Sequence, residues 1–335
     1  MTYYSRYGGT WTDRGDAQDL VDRKLEAQEL SWSEAEQVRF WIDHGHLVLE
    51  QAVDPALCDR VTEELERSRL AADQRLVAQH PNGDLFRLSP DVPMDHVRAL
   101  DAYVFHETAR DALTSPAIRR FLEVVFEEEA LLFQSLSFNN GTEQGIHQDT
   151  AYVVSDQPMR LAAAWIALED IAAGSGELMY YDGSHRLPEF HFSGAHKHWN
   201  PERDGDEQHA EWVGLIHANA KAREMPLRRF QARKGDVFIW SADLAHGGSP
   251  IENPSLTRRS IVGHFTPVSA TPHYMSLHAE RRTRLPWNGF QYSSAVYDLG
   301  ALEREVVGVA ADPPGSAPPA RLRRLLSRLA GGRPG

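Results

Sequence analysis

The chain has 335 residues, of which 41% are hydrophobic and 25% are charged, and this composition is typical of a folded globular protein. A formal net charge of −13 disfavours non-specific binding to nucleic acid, which requires a cationic surface to displace counterions. A single cysteine excludes an internal disulfide framework, and the sequence has neither the apolar core of a secretory signal nor a membrane-length apolar run, so we expect a cytoplasmic location without a transmembrane segment.

Helix signals come first along the chain. Ser33, with Glu36 three residues later, predicts a capping box at the start of a helix, and Gly45 is suited to end that helix. Asp54 followed by Pro55 predicts the start of another helix, because the aspartate oxygen caps the helix and proline fits its first position. The other elements predicted in this part are a strand at 46–50 and a helix that starts at 114–116 and runs to 129.

From about residue 131 the apolar pattern changes to a period of two, which indicates β-strands. Short strands in succession, with no helices between them, predict a barrel or a sandwich rather than a parallel sheet. Helices followed by strands predict an α+β domain whose core is mainly β. The strand-like runs are 131–138, 151–154, 160–168, 176–181, 235–240 and 258–265.

We expect one domain, over residues 1–310, followed by a Pro-rich linker and a basic amphipathic tail at 311–335. A long polar segment without clear periodicity, at 187–230, is typical of a functional lid or a mobile insertion. In the tail, leucines fall on one helical face within 321–329, which predicts either docking on the domain or weak contact with an anionic surface or a partner. The predicted parts of the domain are a helical part at about 16–128 and a β core at about 130–268.

The pair His147 and Asp149 is a candidate for metal binding, because residues two apart in a strand project from the same face. A third ligand is required, and His246 is the best candidate because a β-run precedes it and Gly247-Gly248 leave room beside its imidazole. Two histidines and one carboxylate on one face of an octahedral metal leave three positions open, which is the pattern of non-haem Fe(II) oxygenases. The three residues therefore predict an iron site whose open positions accept a bidentate co-substrate and dioxygen.

Such a co-substrate requires a cationic anchor for its distal carboxylate, and arginine is suited because its planar fork matches a carboxylate and stays charged. Arg258 and Arg259 stand at the start of the last strand-like run, where strand parity directs one of them inward and the other outward. Ile261 and Phe265 share parity with Arg259. Val262 shares parity with Arg258, so the apolar alternation does not decide between the two arginines.

Taken together, these segments resemble the phytanoyl-CoA dioxygenase family of Fe(II)/2-oxoglutarate oxygenases. The resemblance covers roughly residues 33–267 and implies the family's double-stranded β-helix, a jelly-roll or cupin-like barrel with helices packed outside it. It also implies Fe(II) as the metal, 2-oxoglutarate as the co-substrate and O2 as the oxidant. The segments that carry the resemblance are 45–61, 147–186, 235–250 and 257–267.

The family's site residues can be placed one by one on this sequence. Its HxD pair falls on His147 and Asp149, and its distal histidine falls on His246. Its 2-oxoglutarate arginine, which stands seven residues before an aromatic residue at the end of the strand, falls on Arg258, since Phe265 follows at that spacing. The resemblance thus selects Arg258 where strand parity alone does not.

Further positions follow from the same resemblance. The tryptophan near the family's co-substrate falls on Trp165, and Gln134 occupies a position that faces the active site in several family members. Apart from the resemblance, His264 shares strand parity with Arg258 and is expected to line the barrel, and Tyr152 is expected to line its mouth, where both would contact substrate. One departure is at 138–141, where family members commonly carry Lys-Pro-Pro-Gly, so the role of a second cation stays open.

The resemblance implies a 2-oxoglutarate-dependent dioxygenase that hydroxylates an unactivated C–H bond of a small or medium organic metabolite, with release of succinate and CO2. Family members that halogenate carry a small residue in place of Asp149, so this carboxylate favours hydroxylation or another oxidation. Three alternatives stay open: desaturation or ring formation by the same chemistry, a non-catalytic barrel that binds iron or 2-oxoglutarate, and a cupin-like enzyme that uses another metal.

Other histidines are alternative ligands. We interpret His185 as a turn histidine bonded to its own loop, because the predicted triad is already complete. Four histidines within 187–230 lack ligand-like spacing with cysteine or carboxylate, so a solvated lid is favoured over a second metal site. They are His191, His196, His198 and His209.

Overall fold

A computed structural model describes residues 2–71, 76–80, 85–92, 97–272 and 284–293 of the chain. The predicted linker and tail at 311–335 lie outside these described residues. The helices are α1 (Ala17–Glu26), α2 (Trp32–His44), α3 (Pro55–Leu70), α4 (Glu107–Leu113), α5 (Pro116–Phe126) and α6 (Pro201–Ala222).

Local capping chemistry sets the helix boundaries. The predicted capping box at Ser33 and Glu36 is wrong by two residues. Ser31 caps α2, and the carboxylate of Glu34 accepts a hydrogen bond from the backbone N–H of Ser31. Gly45 ends α2 in the left-handed conformation (φ 74°), as predicted. The start of α3 is also confirmed, since the carboxylate of Asp54 accepts a hydrogen bond from the backbone N–H of Ala56.

Two sheets form the β core. The strands are β1 (His46–Leu49), β2 (Val77–Gln79), β3 (Leu85–Arg87), β4 (Arg98–Leu100), β5 (Ala130–Phe138), β6 (Ala162–Ala167), β7 (Leu178–Tyr181), β8 (Leu227–Phe230), β9 (Val237–Ser241), β10 (His246–Gly248), β11 (Ser260–Pro267), β12 (Arg284–Trp287) and β13 (Phe290–Ser293). The larger sheet has the order β1-β9-β6-β11-β5-β4-β2-β3, with β13 beside β5 and β12 beside β13, and the smaller sheet has the order β10-β7-β8. All these pairings are antiparallel except that of β13 with β5, so the predicted mainly β fold with helices is confirmed.

The two faces of the larger sheet have different environments. Helices pack on one face, where Val61 of α3 and Leu122 of α5 share an apolar cluster with Ile166 of β6. The other face lines the interior between the sheets, where Trp165 shares a cluster with Tyr180 of β7. Successive residues of a strand point to opposite faces, so β6 is buried on both sides and every one of its residues is apolar.

One prediction about local structure is wrong, and one segment contains elements that its sequence pattern did not indicate. Residues 151–154 do not form a strand, because the chain turns there: a 3-10 helix at Asp149–Ala151 is followed by a backbone hydrogen bond from Val153 to Asp149. The segment 187–230 has regular structure of its own, since it contains α6 and β8. Trp212 and Ile216 of α6 are buried in a cluster with Ile146, so α6 packs beside the chain that leads into the HxD pair.

No helix in the described ranges combines the length and apolar character needed to span a bilayer.

Candidate metal centre

The three predicted ligands come together between the two sheets. His147 and His246 form an antiparallel bridge in which each backbone N–H donates to the other's carbonyl at 2.9 Å. Asp149 opens the 3-10 helix that follows, so the prediction that His147 and Asp149 share a regular strand is wrong. The turn nevertheless directs the carboxylate of Asp149 toward both imidazoles.

The geometry of the triad is suited to a metal ion. Oδ1 of Asp149 lies 3.7 Å from Nε2 of His147 and 3.7 Å from Nε2 of His246. One ligand atom from each of the three residues lies within 4.8 Å of the others, and all three side chains are buried. Among the described residues, this is the one group of its kind with ligand atoms so placed. The His147–Asp149–His246 triad is therefore able to bind iron.

Backbone carbonyls fix both imidazoles. Nδ1–H of His147 donates to the carbonyl of Gly145 at 2.8 Å, and Nδ1–H of His246 donates to that of Leu244 at 2.9 Å. Because a carbonyl can only accept, each ring carries its proton on Nδ1 and directs the lone pair of Nε2 to the centre. The amide Nε2 of Gln144 lies 3.4 Å from Nε2 of His147.

The carboxylate of Asp149 is held through its other oxygen. The indole N–H of Trp240 donates to Oδ2 at 2.8 Å, and Nε2 of His264 lies 3.6 Å from the same oxygen. These contacts leave Oδ1 directed at the two histidines. Sequence reasoning missed Trp240, although it shares strand parity with Phe238 and therefore lies on the interior face of β9.

Burial and neighbouring charges set the protonation states. Burial alone would raise the pKa of Asp149, but His246, followed by His264 and His147, holds that pKa well below its usual range. Burial, together with His246, lowers the pKa of His147 to about 3. At neutral pH Asp149 is therefore ionised and His147 is neutral, which are the forms that bind a metal.

The structure separates the two candidate arginines. Arg258 is 3% exposed, and its guanidinium carbon lies 5.4 Å from the ring centre of Phe138 and 5.8 Å from that of Trp165, both on the interior face. The negative charge of Glu177 acts on Arg258, but that carboxylate already accepts hydrogen bonds from Ser249 and a backbone N–H. Burial lowers the pKa of Arg258 to about 10, so it remains a cation at neutral pH.

The neighbouring arginine points the other way. The side chain of Arg259 is 42% exposed, and it donates to Oδ1 of Asn139 at 3.0 Å and lies 3.5 Å from the carboxylate of Glu169. Arg258 is thus the inward residue and Arg259 the outward one.

Buried polar atoms without hydrogen-bond partners cluster on the interior face. They include Nε of Arg258, Nε1 of Trp165, Oε1 of Gln134 and Nδ1 of His264. His264 on β11 lies directly opposite Gln134 on β5, in the same row of the sheet as Trp240. Buried polar atoms are normally satisfied, so a group of unsatisfied ones indicates a surface that binds a polar ligand.

Tyr152 lies beside the triad, with its ring centre 5.6 Å from that of His147. Its hydroxyl contacts Nε2 of His209 on α6, and its ring packs against Trp199 and Trp212. Burial, followed by the charge of Asp149, raises the pKa of Tyr152. Tyr152 therefore connects His147 of the triad to aromatic side chains of the segment 187–230.

Within the part of the chain that the structure describes, the other candidate histidines do not join the triad. The prediction that His185 is bonded to its own loop is wrong. Its Nε2 contacts the carbonyl of Ile42 near the end of α2. Nε2 of His191 lies 3.4 Å from Glu189. Within the described ranges, the histidines of 187–230 form no second metal-binding group.

A jelly-roll β core that buries two histidines and a carboxylate defines a mononuclear non-haem metal site. The chain belongs to the phytanoyl-CoA dioxygenase family, whose model matches residues 41–260. Membership assigns it to the iron- and 2-oxoglutarate-dependent oxygenases. No curated protein matches its sequence.

Solved structures share the fold at low sequence identity. The carbocyclase SnoK, described as non-heme alpha ketoglutarate dependent and from nogalamycin biosynthesis, superposes with a TM-score of 0.55 at 16% identity, over 79% of this chain and 94% of its own. The epimerase SnoN from the same biosynthesis has a TM-score of 0.52 at 16% identity, over 78% of this chain and 98% of its own. A second structure of SnoN, in complex with Fe3+, alpha ketoglutarate and nogalamycin RO, has a TM-score of 0.53 at 16% identity, over 79% of this chain and 95% of its own.

Proposed function

We propose that the protein is an Fe(II)- and 2-oxoglutarate-dependent dioxygenase that hydroxylates an unactivated C–H bond of a small or medium organic molecule. The observation that carries this proposal is the combination, in one interior, of a triad whose ligand atoms face one another and a buried arginine without an ion pair among the described residues. A metal site alone would fit several enzyme classes. A buried cation in the same interior favours an anionic ligand, and 2-oxoglutarate supplies a carboxylate.

In this proposal His147, Asp149 and His246 hold the metal, and Arg258 binds the distal carboxylate of 2-oxoglutarate. Trp165 and Gln134 contribute further polar atoms that lack partners in the described structure. When iron, 2-oxoglutarate and O2 are bound, the chemistry supplied there is oxidative decarboxylation to succinate and CO2, coupled to oxidation of substrate.

The chain's own residues contribute geometry and exclusion of water. Backbone carbonyls orient both imidazoles, and Trp240 holds the outer oxygen of Asp149. Phe138 and Trp165 lie against the guanidinium of Arg258, and this partly apolar surrounding strengthens its attraction for a carboxylate. The aromatic side chains that surround Tyr152 are the proposed wall of the substrate site.

Two features bear on the type of oxidation. The carboxylate of Asp149 supports hydroxylation rather than halogenation, because a halide requires the metal position that this carboxylate would occupy. Two proteins with similar folds are a carbocyclase and an epimerase, so ring formation and epimerisation on the same chemistry are the second candidate outcome.

The experiment is a panel of metabolites incubated with the Fe(II)-loaded protein, 2-oxoglutarate and 18O-labelled O2. Hydroxylation predicts succinate in proportion to a product that carries one labelled oxygen. Product formed without label, or with the loss of two hydrogens, would reject hydroxylation in favour of the second outcome. A His246→Ala variant is the control for succinate formed without the metal site.

A further inference from the structure

A second group of buried charged residues lies just outside the triad. Asp243, in the loop between β9 and β10, is 4% exposed, and Lys197, from the segment before α6, is 6% exposed. Their side chains form a buried ion pair, and Nζ of Lys197 also lies 3.2 Å from Glu189. Buried ion pairs are costly to form, so an ion pair retained at this place calls for an explanation other than stability.

Asp243 connects the two chain segments that carry the triad. Oδ1 of Asp243 accepts a hydrogen bond from the hydroxyl of Thr150 at 2.6 Å, and its backbone carbonyl accepts one from Nε2 of Gln148 at 2.8 Å. Thr150 and Gln148 are the residues on either side of Asp149. Asp243 itself precedes His246 by three residues. Asp243 therefore contacts both neighbours of the carboxylate ligand, Thr150 through its side chain and Gln148 through its backbone carbonyl, while its own loop carries the distal histidine.

The segment 187–230 reaches the same loops at further points. The indole N–H of Trp212 donates to Oε1 of Gln148 at 3.3 Å, and the backbone N–H of Trp199 donates to the carbonyl of Ala151 at 3.0 Å. Lys197 is the charged member of this set. Its ammonium group binds Oδ2 of Asp243, whereas the hydroxyl of Thr150 binds Oδ1.

We propose that Asp243 is a positioning residue for the metal centre, and that Lys197 makes the geometry of that centre depend on docking of the segment 187–230. The inference rests on the metal role assigned to His147, Asp149 and His246 under the proposed function. Asp243 does not touch the metal. It holds the segment around Asp149 at a fixed distance from the loop of His246, and Lys197 holds the Asp243 carboxylate in place through their ion pair.

The test measures Mn(II) binding, because Mn(II) occupies oxygen- and nitrogen-rich sites without redox chemistry and its free form is counted by electron paramagnetic resonance. Outer-shell substitutions commonly weaken metal binding by about 10–100-fold. We expect that range for Asp243→Ala and for Lys197→Met, and a smaller loss for Thr150→Val. Lys197→Arg should stay within about threefold of the parent because it keeps the charge.

The combined effect of substitutions at Lys197 and Asp243 on Mn(II) affinity distinguishes a positioning role from a purely structural one. Because Lys197→Met leaves the Asp243 carboxylate buried and unpaired, adding Asp243→Asn should restore part of the binding. The loss in the double variant should be well below the product of the two single losses. In the metal-free protein, the amide protons of His147 and His246 should exchange at least about tenfold faster in Asp243→Asn.

The matched control is Asp204→Asn. Asp204 is, like Asp243, a buried carboxylate, but it lies within the segment 187–230 and its hydrogen bonds come from Ser193, Asn200 and Arg203 of that segment. This variant should lose stability but bind Mn(II) within about twofold of the parent.

The outcomes separate the two proposals. Folded Asp243→Asn and Thr150→Val proteins that bind Mn(II) like the parent, with unchanged amide exchange, would overturn the positioning role alone. A parent protein that fails to bind Mn(II), or binds it equally well as His246→Ala, would overturn the proposed function as well. If Asp243→Ala does not fold, Asp243→Asn and Thr150→Val carry the test.

Discussion

Arg258→Met separates the role of Arg258 in the free protein from its role with 2-oxoglutarate. Burial lowers the pKa of Arg258 from 12.5 to about 10, so the folded protein holds this cation less favourably than the unfolded chain does. At about 1.4 kcal/mol per tenfold change in proton affinity, the unfavourable contribution is roughly 3 kcal/mol at pH 7. It persists at all pH values below about 10, since the folded and unfolded forms are then both protonated.

Methionine removes that charge and keeps much of the side-chain volume between Phe138 and Trp165. We therefore expect the ligand-free variant to be as stable as the parent or more stable, by about 1–3 kcal/mol in the free energy of unfolding. With 2-oxoglutarate at 100 times its Kd, the parent should gain about 2.7 kcal/mol, and Arg258→Met should gain almost nothing because its Kd rises by at least about 100-fold.

The assay is urea denaturation with and without 2-oxoglutarate, in the presence of Mn(II). Arg259→Met is the control, because its exposed contacts with Asn139 and Glu169 are worth no more than about 1 kcal/mol and its response to 2-oxoglutarate should equal that of the parent. If Arg258→Met lost more than about 1 kcal/mol without ligand and still responded to 2-oxoglutarate, the reasoning would be refuted.

Three further predictions follow from single contacts. Trp240→Phe removes the donor to Oδ2 of Asp149, so Mn(II) affinity should fall about tenfold or more with little change in the fold, as titration would show. In Gly247→Ala the new Cβ would lie 2.6 Å from the carbonyl oxygen of Gln144, so unfolding experiments should show a loss of about 1–3 kcal/mol, together with weaker Mn(II) binding; unchanged values would contradict this close approach. Burial lowers the pKa of His185 to about 3, so the unfolded chain takes up a proton below pH 6.5 that the folded protein does not. As the pH decreases below 6.5, the free energy of unfolding therefore decreases by up to about 1.4 kcal/mol per pH unit. His185→Asn should remove that part of the pH dependence, as urea denaturation at pH 5 and at pH 6.5 would show.

The triad was predictable because ligand chemistry depends on residue type and spacing, which the sequence displays directly. The choice between Arg258 and Arg259 was not predictable from alternation, because β11 is buried on both faces. Ile261 packs toward the helices and Val262 toward the interior, so both parities carry apolar residues. Only the fold distinguishes a helix-covered face from a barrel interior.

Other misses have physical causes of the same kind. The β-prone run at 151–154 became a turn because the bridge at His147 and His246 is isolated, and local backbone hydrogen bonds after Asp149 replace a ladder. Helix α6 was overlooked because its surface is highly charged. The signal was nevertheless present, since the buried residues Trp212, Ile216 and Ala220 recur at a spacing of four.

Contacts between distant segments lie beyond any local pattern. Nothing near Lys197 in the sequence indicates that it pairs with Asp243, 46 residues away. Trp240 likewise needs the register of β9 against β6 before its N–H can be directed at Asp149. Such contacts depend on the packing of the whole fold, so they were open to discovery only in the structure.

The most direct test of the central claim is an anaerobic titration of the protein with Fe(II) and 2-oxoglutarate, monitored by visible absorbance. Chelation of 2-oxoglutarate by iron held at His147, Asp149 and His246 predicts a weak charge-transfer band that saturates at one iron per chain and is lost in His246→Ala. A band of equal intensity in His246→Ala, or no band in the parent at saturating concentrations of both, would contradict the assignment of these three residues as the metal centre.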